Sequence, residues 1–67
     1  MIIENILNYC EGERLSIKQF EEKCNLANGL VGKWKSGVAV PSMPTLNKIV
    51  KATGVGFDYW LKENNGE

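Results

Sequence analysis

No histidine occurs in this sequence, and cysteine occurs only at positions 10 and 24. Without histidine the chain lacks the side chain most often used for proton transfer near neutral pH and for binding metals. Two thiols cannot close a tetrahedral zinc shell. Cys10 and Cys24 both fall on apolar positions of predicted helices, so they are read as buried free thiols used as small hydrophobes. No apolar run approaches the roughly 18 residues that a membrane span requires. Also missing are a glycine-rich phosphate loop after a strand and a nucleophile with a base partner. Glu11, Glu13, Glu21 and Glu22 read as ordinary surface carboxylates of short helices, and a bundle of 67 residues has little room for a catalytic pocket. These absences point away from an enzyme, a metal and a cofactor. The opening stretch, MIIENILNYCEGE, is acidic and has no basic leader, so no signal peptide is expected and the cytoplasm is the expected compartment.

Net charge is zero as well, but its distribution is uneven. Residues 1–26 carry five Glu against Arg14, Lys18 and Lys23, a balance of minus two. Residues 27–53 carry Lys33, Lys35, Lys48 and Lys51 with no acid, a balance of plus four. Residues 54–67 return to minus two, with Asp58, Glu63 and Glu67 against Lys62. For a binding face the local sign matters more than the total. Four lysines predict weak non-specific affinity for nucleic acid.

What is present suits one small domain over residues 1–67. The hydrophobic fraction, 43%, is ordinary for a globular fold and excludes disorder, although a chain this short buries only about 60% of its unfolded surface. No segment alternates with strand period, and the apolar spacing predicts five short helices. The first runs from Ile2 to Glu11 with Ile3, Ile6, Leu7 and Cys10 as its stripe, and Gly12 ends it. Ser16 caps the second, with Gln19 completing a capping box. That helix runs to about Cys24, and Asn25, tolerant of the left-handed conformation, makes the turn. The third starts near Ala27 or Asn28 and stops at Gly37. Ala27 is a poor cap, so either Asn28 serves or the helix start frays. After a loop over 38–43, Ser42 and Pro44 open a fourth helix carrying Leu46, Ile49, Val50 and Ala52 and ending at Gly54. Gly56 precedes a fifth with Phe57, Tyr59, Trp60 and Leu61, and the polar tail 63–67 is expected to fray.

The most informative stretch is 17–36, IKQFEEKCNLANGLVGKWKS. Phe20 and Cys24 share one face of the second helix, and Val31 and Trp34 share one face of the third. Phe20, Leu26, Val31, Trp34, Leu46 and Ile49 are assigned to the core. The opposite face of the third helix carries Asn28, Gly29, Gly32, Lys33 and Ser36, which is small, polar and basic enough for a DNA major groove. Gly29 and Gly32 each cost a helix about 1 kcal/mol relative to Ala, which suggests close approach of DNA or another helix. Tyr59 and Trp60 are adjacent, so one is expected in the core and the other partly exposed, as a candidate dimer contact.

Four pieces in this order resemble the phage-repressor and Cro-like (XRE-type) helix-turn-helix family. They are the helix pair at 17–36, W-K-S-G at 34–37, P-S-M-P-T-L-N-K-I at 41–49 and A-T-G-V-G-F-D-Y-W-L at 52–61. The match extends from about Leu15 to Leu61, with a leading helix before it. The resemblance implies an all-α, five-helix bundle of the lambda-repressor-like type, with the helix-turn-helix at about 16–36. It implies a transcriptional regulator that binds a palindromic operator on double-stranded DNA, usually as a homodimer.

Carried onto this chain, base edges would be met by Asn28, Gly29, Gly32 and Lys33. Phosphates would be met by Ser16, Ile17, Lys18, Lys35, Ser36, Ser42 and Thr45, and Tyr59 and Trp60 are the candidate dimer contacts. Asn can pair with adenine and Lys can donate to guanine, and helix N-terminal amides attract phosphate without a basic side chain. The chain departs from the family at three places. Ile17 replaces a Gln that contacts phosphate. Glu21 replaces a small residue at the helix crossing, so its carboxylate is expected to swing to solvent or to meet Lys33 or Arg14. Lys35 replaces a common Glu and favours phosphate.

The expected function is that of a phage or mobile-element repressor. No sensing or cleavable domain is expected beside the bundle, so control is expected through concentration, competing regulators or dimerisation, with no small-molecule ligand and no membrane partner. The alternative is a protein-interaction module on the same fold, antitoxin-like or an anti-repressor, favoured by the neutral charge, Ile17 and the apolar Leu30 near the recognition face. A third reading is a subdomain that only mediates oligomerisation.

Overall fold

The computed structural model describes residues 2–62. They form five helices: α1 (Ile2–Glu13), α2 (Ile17–Lys23), α3 (Leu30–Ser36), α4 (Met43–Thr53) and α5 (Phe57–Leu61), and no strand is present among the described residues. The fold is the all-α bundle that the apolar spacing predicts. The expected fraying of 63–67 lies outside the described residues.

Helix α1 continues through Gly12 instead of ending there. Its stop is Arg14, which takes the left-handed conformation (φ 59). The Leu15 amide then donates to the Cys10 carbonyl at 2.8 Å, while Leu15 packs against the core. This is a Schellman closure, in which a back-bond and an apolar contact end the helix without a glycine. The same device closes α2: Asn25 is left-handed (φ 58), as expected, and the Leu26 amide donates to the Glu21 carbonyl at 2.8 Å. Leu26, assigned to the core, is half-buried against it.

The other helix ends follow the local signals. Ser16 Oγ accepts from the Gln19 amide at 3.0 Å and Gln19 Oε1 accepts from the Ser16 amide at 2.8 Å, completing the box. Ser42 caps α4, whose first turn holds Pro44, and Gly37 and Gly54 end α3 and α4 with φ of 84° and 73°. In those two places only a residue without Cβ avoids strain.

The core gathers Ile6, Cys10, Phe20, Cys24, Val31, Trp34, Leu46, Ile49 and Trp60. Leu7, expected on the inner stripe of α1, is 39% exposed, and the buried residue beside Ile6 is the polar Asn5. Its amide Nδ2 donates to the carbonyls of Trp60 at 2.8 Å and Lys62 at 3.1 Å. These carbonyls belong to the end of α5, a helix of five residues that is too short to persist alone. Asn5 therefore ties the first helix to the last. Trp60 completes the dock. Its ring meets Tyr9, Phe20 and Tyr59 at centroid distances of 5.4, 6.0 and 5.0 Å, and its Nε1–H donates to the Val55 carbonyl at 3.0 Å.

Candidate nucleic-acid interface

Helix α3 begins at Leu30, two to three residues later than the spacing suggests, because Gly29 stands before it in the left-handed conformation (φ 88). Neither Ala27 nor Asn28 caps it, and Gly29 has no side chain to do so. A helix start leaves its first amides without acceptors and carries the positive end of the helix dipole. Glu21 supplies the acceptors. Its Oε1 takes the Gly29 amide at 3.0 Å and its Oε2 takes the Val31 amide at 2.9 Å, with the Leu30 amide donating to the Ala27 carbonyl at 3.1 Å. Glu21 is 3% exposed. The expectation that it turns to solvent or meets Lys33 or Arg14 is corrected: the carboxylate sits inside the crossing, where backbone amides replace both water and a cation. Its sequence signal is a carboxylate at a crossing position, followed by a helix with no capping residue of its own.

With α3 held this way, Val31 and Trp34 are buried, while Gly32, Lys33, Lys35 and Ser36 are exposed. Asn28 and Gly29 are exposed too, but they lie in the turn that leads into α3 and not on the helix itself, which corrects their expected placement. Leu30 is half-buried against the core. A Cβ added at Gly32 would meet nothing within 4 Å, so no helix of the described residues requires a glycine there. Gly29 is explained by its positive φ. Ser36 Oγ donates to the Lys33 carbonyl at 3.2 Å.

The expected phosphate contacts fall on three separate places. Ser16, Ile17 and Lys18 open α2. Ser16 is engaged in the capping box, Lys18 is exposed, and the Ile17 side chain packs against the core, leaving its backbone amide to serve. Lys35 and Ser36 end α3. Ser42 and Thr45 open α4 with their hydroxyls 3.0 Å apart, and Pro44 removes one amide from that turn. Of the remaining lysines in the basic segment, Lys48 donates to the Asn25 carbonyl at 3.5 Å, bracing the turn between α2 and α3.

Of the two residues offered as dimer contacts, Trp60 is wholly buried and Tyr59 half-buried, with the Lys62 ammonium 4.7 Å from the Tyr59 ring centroid. A side chain sealed in the core cannot form a surface contact, so Trp60 is corrected to a core residue. Both cysteines are free and buried. Burial pushes the Cys24 thiol up to about 11 and raises Cys10 as well, so neither is a reactive thiolate at neutral pH. Among the described residues no three His, Cys, Asp or Glu side chains group as a metal site, and no helix is long and apolar enough to cross a membrane.

Comparison with known proteins gives one match, to the helix-turn-helix family, over residues 6–60. No curated protein and no solved structure matches. The matched span runs from the middle of α1 to Trp60 and so includes Glu21, the exposed face of α3 and the α4 start. The chain belongs to the helix-turn-helix family of the Cro and repressor (XRE) type, a family of DNA-binding regulatory domains.

Proposed function

We propose that the chain is a sequence-specific transcriptional repressor of the phage or mobile-element type. It acts in the cytoplasm as a single DNA-binding module over residues 1–67 and binds a palindromic operator as a homodimer. The observation that carries this reading is the division of α3: Val31 and Trp34 are buried, while Gly32 and Lys33, led by Asn28 and Gly29, stand open to solvent in the only basic segment of the chain. Asn28 and Lys33 read base edges, and the bare backbone at Gly29 and Gly32 lets the duplex come close. Lys18, Lys35 and the hydroxyls of Ser16, Ser42 and Thr45, with the Ile17 amide, hold phosphates, and Ser36 joins them when its hydroxyl turns away from the Lys33 carbonyl.

Dimerisation draws support from exposed apolar side chains outside the core. Val38 and Val40 are 76% and 82% exposed in the loop after α3, and Met43 and Leu61 are also exposed. With Tyr59 they offer apolar surface to a second copy. The two protomers would read half-sites about 10 to 10.5 base pairs apart. Control then comes from concentration and from competing proteins. The same exposed valines, with the zero net charge, favour a second reading, in which the fold presents this loop to a protein partner in the manner of an antitoxin or anti-repressor.

Selection from a pool of random duplexes, titrated at low and moderate salt, separates the two. Salt-sensitive enrichment of a palindrome supports the repressor. Absence of binding below about 100 micromolar, the weak end of ordinary non-specific affinity, supports the protein module. On the selected operator, Asn28→Ala is expected to relax preference at one base position by about 1–3 kcal/mol of discrimination. Lys35→Ala is expected to weaken all duplexes alike and to reduce the salt slope by about one. Identical behaviour of the two variants on every duplex would remove the distinction between reader and phosphate contact.

Gly32→Ala is expected to act with opposite signs on folding and binding. The new methyl meets open space, so the helix gains about 1 kcal/mol and the melting temperature rises by about 4 °C or more. Operator affinity falls about tenfold, or about 1.4 kcal/mol, as the duplex is held off. Thermal melts and titrations on the same preparation check both halves.

A further inference from the structure

We infer that Glu21 is a positioning residue for base recognition, acting through the backbone it holds and not by touching DNA. This rests on the reading of α3 and its leading turn as the recognition surface. The Glu21 carboxylate grips the amides of Gly29 and Val31 from behind, at 3.0 and 2.9 Å. Those two amides flank Leu30, and the residues proposed to meet bases, Asn28, Gly29, Gly32 and Lys33, lie immediately before, within and after this gripped segment. Beyond this grip the turn is held by the Leu30 amide on the Ala27 carbonyl at 3.1 Å, by Lys48 on the Asn25 carbonyl at 3.5 Å and by the packing of Leu30 and Val31, none of which fixes the Gly29 amide. Glycine at position 29 gives the backbone there the widest conformational range of any residue, no side chain of the turn caps the helix, and α3 has seven residues. Base readout depends on placing donors within a few tenths of an ångström of a base edge, whereas phosphate contact tolerates looseness. A loosened turn therefore loses discrimination before it loses attraction.

A purely structural role predicts something different. Partial unfolding lowers every affinity by the same factor, the folded fraction, and leaves the ratio of specific to non-specific affinity unchanged. The experiment compares the parent, Glu21→Gln and the exposed neighbour variant Glu22→Gln on the selected operator and on a scrambled duplex of equal length. Glu21→Gln is expected to lower the ratio about tenfold, the worth of one base contact, while affinity for the scrambled duplex and its salt slope hold. Glu22→Gln is expected to leave the ratio intact. An unchanged ratio in Glu21→Gln, or an equal fall in Glu22→Gln, overturns the inference.

Amide hydrogen exchange in the parent supplies a test that requires no variant. The Gly29 and Val31 amides should be protected in the free protein as well as on the operator. Protection that arises only on binding would show that the turn is not held in advance. A parent that discriminates among no duplexes removes the recognition reading itself, an outcome distinct from a parent that discriminates and a variant that does so equally well.

Discussion

Glu21→Ala is expected to destabilise the fold by about 3 kcal/mol, since the buried Val31 amide and the part-buried Gly29 amide lose a charged acceptor and nothing in the turn replaces it. A domain of this length has a total stability of roughly 3–10 kcal/mol, so the loss is a large fraction of the whole. The melting temperature should fall by about 12 °C or more. Chemical denaturation should show a lower midpoint at unchanged slope, the mark of a change in stability and not in the surface exposed. Glu22→Ala, one residue away and exposed, should stay within about 0.5 kcal/mol of the parent. If the two alanine variants melt together, Glu21 is not the cap of α3. Ordinary substitution logic at this position runs the other way, because alanine is the kind of small residue that suits a helix crossing. In this chain the late start of α3 reverses the preference.

Trp60→Ala should have a still larger effect. The ring is wholly buried and touches three other aromatic rings, which come from α1, α2 and α5. Truncating a buried Trp costs about 3–5 kcal/mol, comparable with the full stability of a small domain. The expected result is loss of a cooperative thermal transition, with DNA binding lost in step. Trp60→Phe keeps most of the packing but leaves the Val55 carbonyl without its donor, so a loss of about 1–2 kcal/mol and a retained transition are expected. A sharp melt in the alanine variant would mean that α5 is dispensable to the core. The wider consequence concerns the docking of α5. Asn5 and Trp60 hold the same short helix from opposite chemistries, one polar and one aromatic. Tyr59, offered as a dimer contact, therefore stands on an element whose position is decided from α1.

Most helix boundaries were legible because their causes are local. Ser16 with Gln19, Ser42 with Pro44, Asn25, Gly37 and Gly54 each act on backbone within a few residues, through a side-chain cap or a left-handed conformation. The apolar spacing of Phe20 with Cys24 and of Val31 with Trp34 likewise marks the inner faces, and the outer face of α3 follows by subtraction. Where local signals compete the reading slips. Gly12 looks like a helix end, yet the chain passes through it and stops at Arg14, because the back-bond from Leu15 and the burial of that leucine outweigh a cost of about 1 kcal/mol.

Chain order alone therefore specified five helices, their main caps and the polar side of α3, since each depends on groups within about one helical turn. Burial of Glu21 and Asn5 had to await the assembled bundle. Their partners lie 8 and 10 residues away for Glu21, and 55 and 57 for Asn5. A carboxylate or an amide reads as surface until a particular set of backbone groups arrives beside it. Which groups arrive is settled by how the helices pack, not by the residues next to it in the chain.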